Sequence, residues 1–115
     1  MRVKNAFLAV ADVGAAVRFY QGVLGLPLQF QDGDRWAQFK VDGFTWALAA
    51  PSEAEAAPGS NAVLTLEVED LDAAVERLRG AGVRVAAIRD MGSHGRAARF
   101  YDPDGNAVQL YQAPR

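Results

Sequence analysis

The sequence predicts an α+β fold built from two βαβββ modules, and three observations lead to this prediction. The first is an internal repeat in which Asp12 and Asp70 occupy matching positions, 58 residues apart. The second is that each aspartate follows a strand-like apolar run and precedes a helix-like apolar stripe. The third is an Asp-Gly pair between the last two strand-like runs of each copy, which is a strong signal for a β-hairpin.

The first copy begins with a strand that ends at an aspartate. Asp12 is placed to cap the following helix and Gly25 to end it. The apolar side chains between them keep the i, i+3, i+4, i+7 spacing of a half-buried helix: Val13, Ala16, Val17 and Tyr20. The predicted elements are a strand at 3–10, a helix at 12–24, and strands at 26–31, 35–41 and 44–50.

The second copy repeats this order. Asp70 is the expected cap and Gly82 the expected helix end, around the apolar stripe Leu71, Ala74, Val75 and Leu78. The predicted elements are a strand at 61–68, a helix at 70–81, and strands at 83–89, 96–102 and 106–112. We expect one domain over 1–115, with module one at 1–50, a linker without apolar periodicity at 51–60, and module two at 61–115.

Composition excludes several classes of protein. The chain has 115 residues, no cysteine and one histidine, so disulfide frameworks and cysteine-based or histidine-rich metal clusters are excluded. Its formal charge of −2 gives no broad electrostatic reason to bind nucleic acid or an anionic membrane. No signal peptide is recognised and no apolar run reaches the ~20 residues of a membrane helix. The expected location is therefore the cytoplasm.

Two parts of the sequence carry a family signature. The first consists of Val10-Ala11-Asp12, Arg18-Phe19-Tyr20 and Leu24-Gly25, and the second is the segment 100–106, Phe-Tyr-Asp-Pro-Asp-Gly-Asn. Together they resemble the vicinal-oxygen-chelate superfamily of glyoxalases, bleomycin-resistance proteins and extradiol dioxygenases. The resemblance implies that the two modules form a half-open, curled sheet that bears a cleft, with the helices on the outside.

The resemblance also implies where a metal ion would bind. In metal-dependent members, four side chains from the first and last strands of the modules hold a divalent ion, which polarises the substrate as a Lewis acid. The matching positions here are Asn5, Ala47, Val63 and Gln109. Alanine and valine have no donor atom, and two neutral amides do not hold a catalytic divalent ion. We therefore expect no metal ion and no other cofactor.

Strand alternation indicates which side chains face the implied cleft. With Asn5 placed inward, Phe7 also faces the cleft, whereas Leu8 packs under the helix. The expected ligand-binding residues are Asn5, Phe7, Trp36, Gln38, Thr65, Glu67, Gln109 and Tyr111. The two amides alternatively have no present role, and the aromatic residues alternatively fill the core or, for Trp36, contact a second subunit. Glu67 is alternatively a solvated surface residue.

Three further polar residues have open roles. His94 lies in a glycine-bounded loop, where it is either a general base or an exposed loop residue. Arg96 and Arg99 either meet an anionic ligand or pair with surface acids.

The sequence therefore favours a metal-independent protein that binds a small organic molecule in the cleft, of the antibiotic-sequestering kind, and that forms a homodimer. The alternative is a glyoxalase- or dioxygenase-like enzyme, a lyase or oxidoreductase, with a non-standard or metal-free site. A third possibility is an interaction domain without a ligand. The sequence does not name the ligand.

Overall fold

A computed structural model describes residues 1–59 and 62–115, and the two predicted βαβββ modules are confirmed. Residues 60 and 61, where the predicted linker meets the predicted strand at 61–68, lie outside the described residues. The chain divides into two units, Met1–Ser60 with Pro103–Asn106, and Asn61–Asp102 with Ala107–Arg115. The turn at 103–106 thus belongs to the first unit.

The first unit contains a four-stranded mixed sheet. Its strands are β1 (Ala6–Ala9), β2 (Leu28–Asp32), β3 (Trp36–Val41) and β4 (Phe44–Ala49), in the spatial order β1-β4-β3-β2. β1 runs parallel to β4, and the other neighbours are antiparallel. Asp42 and Gly43 form the predicted two-residue hairpin, both with positive φ, as a type I′ turn requires.

One helical segment covers one face of this sheet. It begins as α1 (Val13–Val17) and continues as a π-helix over Arg18–Val23, where the sequence predicts a regular helix. The Asp12 side chain accepts a hydrogen bond from the Ala15 backbone N–H at 3.0 Å, which confirms the predicted cap. Both Phe19 and Tyr20 are buried in the π-helical turns. A regular amphipathic helix would not place two successive aromatic side chains equally on its buried face.

The second unit repeats the arrangement. Its strands are β5 (Leu64–Glu67), β6 (Arg89–Asp90), β7 (Arg96–Tyr101) and β8 (Ala107–Gln112), in the order β5-β8-β7-β6. Its helix, which we label α3, spans Leu71–Gly80. The Asp70 side chain accepts from the Ala73 N–H at 3.0 Å, and buried Gln112 accepts from the Leu71 N–H at 2.8 Å. Two of the free N–H groups at the start of the helix are thereby satisfied.

Two further predicted elements differ from the structure. The segment predicted as a linker contains a short helix, α2 (Pro51–Ala54), with proline at its first turn, where the missing N–H has no cost. In place of the strand predicted at 83–89, the structure has an isolated β-bridge between Val85 and Phe100, followed by the two-residue strand β6. Ala86 and Ala87 are exposed there and have little tendency to extend an edge strand.

No helix within the described ranges 1–59 and 62–115 has the length and apolar character needed to cross a membrane.

Candidate functional site

The side of the first sheet that faces away from α1 and the π-helix carries the aromatic and amide residues predicted to bind a ligand. We call this side the non-helical face of the first sheet. Tyr20 contacts Phe39 with ring centroids 6.2 Å apart, so Phe39 marks the helix-covered side and its neighbour Gln38 the opposite one. Residues that pair across neighbouring strands share a face. This face therefore contains two rows of paired residues: the first is Phe7, Ala47, Gln38 and Phe30, and the second is Ala9, Ala49, Trp36 and Asp32.

Phe7 and Trp36 form an aromatic pair on this face. They come from β1 and β3, on either side of β4, and their ring centroids are 5.3 Å apart with the planes tilted by 56°. The residues of β4 between them are Ala47 and Ala49, both 0% exposed. Small side chains on β4 thus allow the two rings to meet above it, whereas Phe7 itself remains 43% exposed.

A chain of hydrogen bonds continues from the aromatic pair. The Trp36 indole N–H donates to Gln38 Oε1 at 3.1 Å, and Gln38 Nε2 donates to Gln29 Oε1 at 2.8 Å. Gln29 reaches Gln38 because the register of β2 shifts between Leu28 and Phe30. Each hydrogen bond orients the next side chain. The exposed amide of Gln29 is therefore held at the end of this hydrogen-bonded chain, beside the two rings.

The residues at the positions implied for a metal do not fit a divalent ion. Ala47 has no donor atom and is covered beside the Phe7–Trp36 pair, and Val63, 37% exposed, has none either. Asn5 precedes β1 and is half-buried, and Gln109 is a neutral amide in β8. Among the described residues, no three His, Cys, Asp or Glu side chains come together to hold a metal ion.

The second sheet carries its own set of predicted ligand-binding residues, on the side away from α3. Thr65 pairs with Gln109 and Glu67 pairs with Tyr111 across β5 and β8. Gln109 Nε2 lies 3.4 Å from Thr65 Oγ1, at hydrogen-bonding distance. Gln112 belongs to the opposite side, because its side chain bonds to the first residue of α3. We call the side with Gln109 the non-helical face of the second sheet.

The Tyr111 hydroxyl group forms a structural hydrogen bond. Its hydroxyl donates to the backbone carbonyl of His94 at 2.9 Å, which fastens the loop before β7 to β8. The His94 side chain is exposed in the turn Gly92–His94, and the described residues give it no side-chain partner. The structure therefore gives His94 no base-orienting neighbour, although its backbone holds Tyr111.

A concavity of about 470 Å³ lies at the start of α3, on the helix-covered side of the second sheet. Arg96 and Asp72 line it and form two parallel hydrogen bonds, each of 3.0 Å. The Arg96 guanidinium holds the pKa of Asp72 below its usual range, chiefly through these bonds, and the pKa of Arg96 is raised in turn. The charges of Asp72 and Arg96 thus neutralise each other, and Asp90 and Arg115 also line the concavity.

The Asp-Pro-Asp-Gly-Asn segment has a structural role in the first unit. The Asn106 side chain is 0% exposed, donates to the Ala9 carbonyl at 3.2 Å and accepts from the Gly59 N–H at 2.9 Å. Asp104 Oδ1 accepts from the Ala11 N–H at 2.9 Å. The turn therefore closes on the end of β1 rather than contributing reactive groups.

The structure brings the predicted site residues together within each unit. Phe7, Trp36 and Gln38 share the non-helical face of the first sheet, with Asn5 just before its first strand. Thr65, Glu67, Gln109 and Tyr111 share the non-helical face of the second. Sequence reasoning missed Gln29, since no glycine signals the irregular register of β2. It also missed Tyr101, which strand alternation from Arg99 places on the same face and which is 55% exposed.

The family model described as Glyoxalase/Bleomycin resistance protein/Dioxygenase superfamily matches residues 2–110 of this chain. The curated protein YaeR of Escherichia coli (strain K12) is 28% identical over 125 residues, covering 96% of this chain and 95% of YaeR. The crystal structure of TnmS3, an antibiotic binding protein from Streptomyces sp. CB03234, is 31% identical with a TM-score of 0.81, covering 99% of this chain and 97% of that one. Lactoylglutathione lyase from Agrobacterium tumefaciens has a TM-score of 0.82 at 20% identity, covering 96% and 92%, and shares the fold.

Proposed function

The chain belongs to the Glyoxalase/Bleomycin resistance protein/Dioxygenase superfamily, and from this premise we propose that it binds a small organic molecule without a metal ion. The ligand lies against the non-helical face of the first sheet, where Phe7 and Trp36 supply flat apolar surface and Gln38 and Gln29 supply hydrogen bonds. An apolar wall with a few fixed polar groups is the usual composition of a site for a small organic ligand.

The observation that carries this proposal is the aromatic pair above β4. Phe7 lies on β1, an edge strand of the sheet, and its 43% exposed ring leaves apolar area in water unless something covers it. Its contact with Trp36 and the bond from Trp36 to Gln38 hold the rings in fixed positions before any ligand arrives. A preorganised surface of this kind loses little side-chain entropy on binding.

The same geometry supports the proposed metal independence. A carboxylate or imidazole at position 47 would have to occupy the volume in which the Phe7 and Trp36 rings meet. The aromatic contact and a metal ligand at this position are therefore alternatives, and this sequence has the aromatic contact. The relative TnmS3, described as an antibiotic binding protein, supports binding over catalysis, because its identity of 31% extends over 99% of this chain.

Phe7→Ala should weaken ligand binding about tenfold, because it removes one ring of the pair and its contact with a stacked ligand. The ligand comes from a thermal-shift screen of small aromatic compounds, in which a compound at 100 times its Kd should add about 2.7 kcal/mol to the stability of the protein. Fluorescence titration of the best compound then gives the Kd of each variant.

Phe44→Ala is the matched control. Phe44 lies in the same sheet and is 44% exposed, but strand alternation from Ala47 places it on the helix side. We expect its Kd to equal that of the unchanged protein within a factor of two. Equal weakening by both substitutions, or by neither, would contradict the assignment of the ligand to the non-helical face. A catalysed conversion of the bound compound would instead favour the enzyme alternative.

We also propose that the chain forms a homodimer in the cytoplasm. Phe30 is 46% exposed on β2, which is an edge strand of the first sheet, and a second copy would cover this apolar surface. Light scattering should give twice the chain mass of 12.3 kDa, and Phe30→Asp should return the mass to that of one chain. A single-chain mass for the unchanged protein at micromolar concentration would contradict the dimer.

A further inference from the structure

A row of polar side chains crosses the non-helical face of the second sheet. Thr65 on β5 pairs with Gln109 on β8, and Gln109 pairs with Arg99 on β7. Paired residues project from the same side of a sheet, so a hydroxyl, an amide and a guanidinium lie side by side. The contact between Gln109 Nε2 and Thr65 Oγ1 at 3.4 Å orients the amide, which leaves the guanidinium at the end of the row.

Arg99 differs from its neighbour Arg96 in that its side chain has no partner in the part of the chain that the structure describes. Because the two are three positions apart in one strand, they project from opposite sides of the sheet. Arg96 meets Asp72 on the helix side through two hydrogen bonds of 3.0 Å. The Arg99 side chain is exposed, and within residues 1–59 and 62–115 it forms no ion pair or side-chain hydrogen bond. All five of its N–H donors are therefore available.

The surroundings of Arg99 favour an anion that carries a flat apolar group. Tyr101 lies two positions further along β7, hence on the same face, and is 55% exposed. Arg89, which pairs with Ala97, adds a second guanidinium on this face. Glu67 lies on β5, two strands away from Arg99, at roughly 10 Å by the usual strand spacing. This distance exceeds the Debye length of about 8 Å in physiological salt, so salt screens the attraction between the two charges. This face is thus locally basic in a chain of formal charge −2.

We propose that the non-helical face of the second sheet binds an aromatic carboxylate, which Arg99 selects. This site lies in the second unit and goes beyond the proposed function, whose residues lie on the first sheet. The planar guanidinium accommodates both carboxylate oxygens at once, which neither a lysine nor a neutral amide reproduces. The second N–H of the Gln109 amide lies in the same row, and the ring of Tyr101 flanks the apolar part of the ligand.

The test compares 2-naphthoate with 2-naphthamide, which share a flat ring system and differ in charge. Both are titrated into 15N-labelled protein, and Kd values are taken from amide and arginine Nε–H chemical shifts. We expect 2-naphthoate to bind at least tenfold more tightly than 2-naphthamide, and the Arg99 Nε–H signal to move on its binding. Arg99→Gln should remove this preference, and Arg99→Lys should retain only part of it.

Arg96→Gln is the control, because it removes the same charge from the same strand on the other side of the sheet. It should leave the ratio of the two Kd values unchanged. A ratio that survives Arg99→Gln, or that falls equally in Arg96→Gln, would overturn the assignment to Arg99. Since Arg99 is exposed and holds no other side chain, both of its substitutions are expected to fold, and the dispersion of the NMR spectra checks this.

The outcomes also separate this inference from the proposed function. If both probes shift only the amide signals of Phe7 and Trp36, small-molecule binding on the first sheet stands and the role of Arg99 is refuted. If neither probe binds and the thermal-shift screen finds no other compound, the proposed function fails together with the inference.

Discussion

Gly95→Ala should destabilise the protein by about 4 kcal/mol, combining backbone strain with steric overlap. Gly95 has φ 92° and ψ −160°, a region that is essentially restricted to glycine. A Cβ atom here would lie against the backbone carbonyl oxygen of Gln112 and 2.9 Å from the Tyr111 ring and hydroxyl. The loop could relieve this overlap only by moving away from β8, which would break the bond from Tyr111 to the His94 carbonyl. Urea denaturation monitored by circular dichroism measures the loss.

Gly92→Ala provides the comparison within the same loop. Gly92 also has a positive φ, of 61°, but a Cβ atom there meets nothing within 4 Å. The expected cost is therefore only the backbone term, about 1 kcal/mol. If the two substitutions cost the same, the close approach of the loop to β8 is not what requires glycine at position 95.

Asn106→Ala should destabilise the protein by about 3 kcal/mol, because it leaves buried polar groups without partners. The side chain is 0% exposed and bonds to both the Ala9 carbonyl and the Gly59 N–H. Removing it also leaves a cavity that the rigid turn at 103–106 cannot fill. The free energy of unfolding, taken from urea titrations with an unchanged m-value, measures this effect.

Asn106→Asp distinguishes the hydrogen bonds from the cavity. It keeps the volume and the acceptor for the Gly59 N–H, but it replaces the donor to the Ala9 carbonyl with a carboxylate oxygen. We expect a loss at least as large as that of the alanine variant at pH 7, and a partial recovery at low pH, where a protonated carboxyl group can donate again. A loss below 1 kcal/mol in both variants would show that the turn is not fastened through this residue.

The local features of the fold were predictable because short-range chemistry determines them. Asp12 and Asp70 precede apolar stripes of helical spacing, and both accept the expected N–H bonds. Strand alternation correctly assigned Leu8, which is 2% exposed, to the buried side. The two-residue hairpin at Asp42 followed from its sequence, because Asp-Gly accommodates two positive φ angles.

The features that depend on long-range contacts were not predictable. Asp104 and Asn106 were expected only to form a turn, because nothing local indicates that their side chains bond to residues more than 90 positions away. The sequence likewise left Arg96 and Arg99 equivalent. The register of β7 against β8 and the position of Asp72 on α3 distinguish the two: Arg96 bonds to Asp72, whereas Arg99 lies on the other side of the sheet.

We propose that this member of the superfamily binds its ligand without a metal ion, on the aromatic and amide residues of the first sheet. The most direct test is a fluorescence titration of the strongest compound from the screen, before and after dialysis against EDTA, with metal content determined by mass spectrometry. We predict far less than one equivalent of divalent metal, and a Kd unchanged within a factor of two by chelation. A stoichiometric divalent ion whose removal abolishes binding, and whose return restores it, would contradict the account.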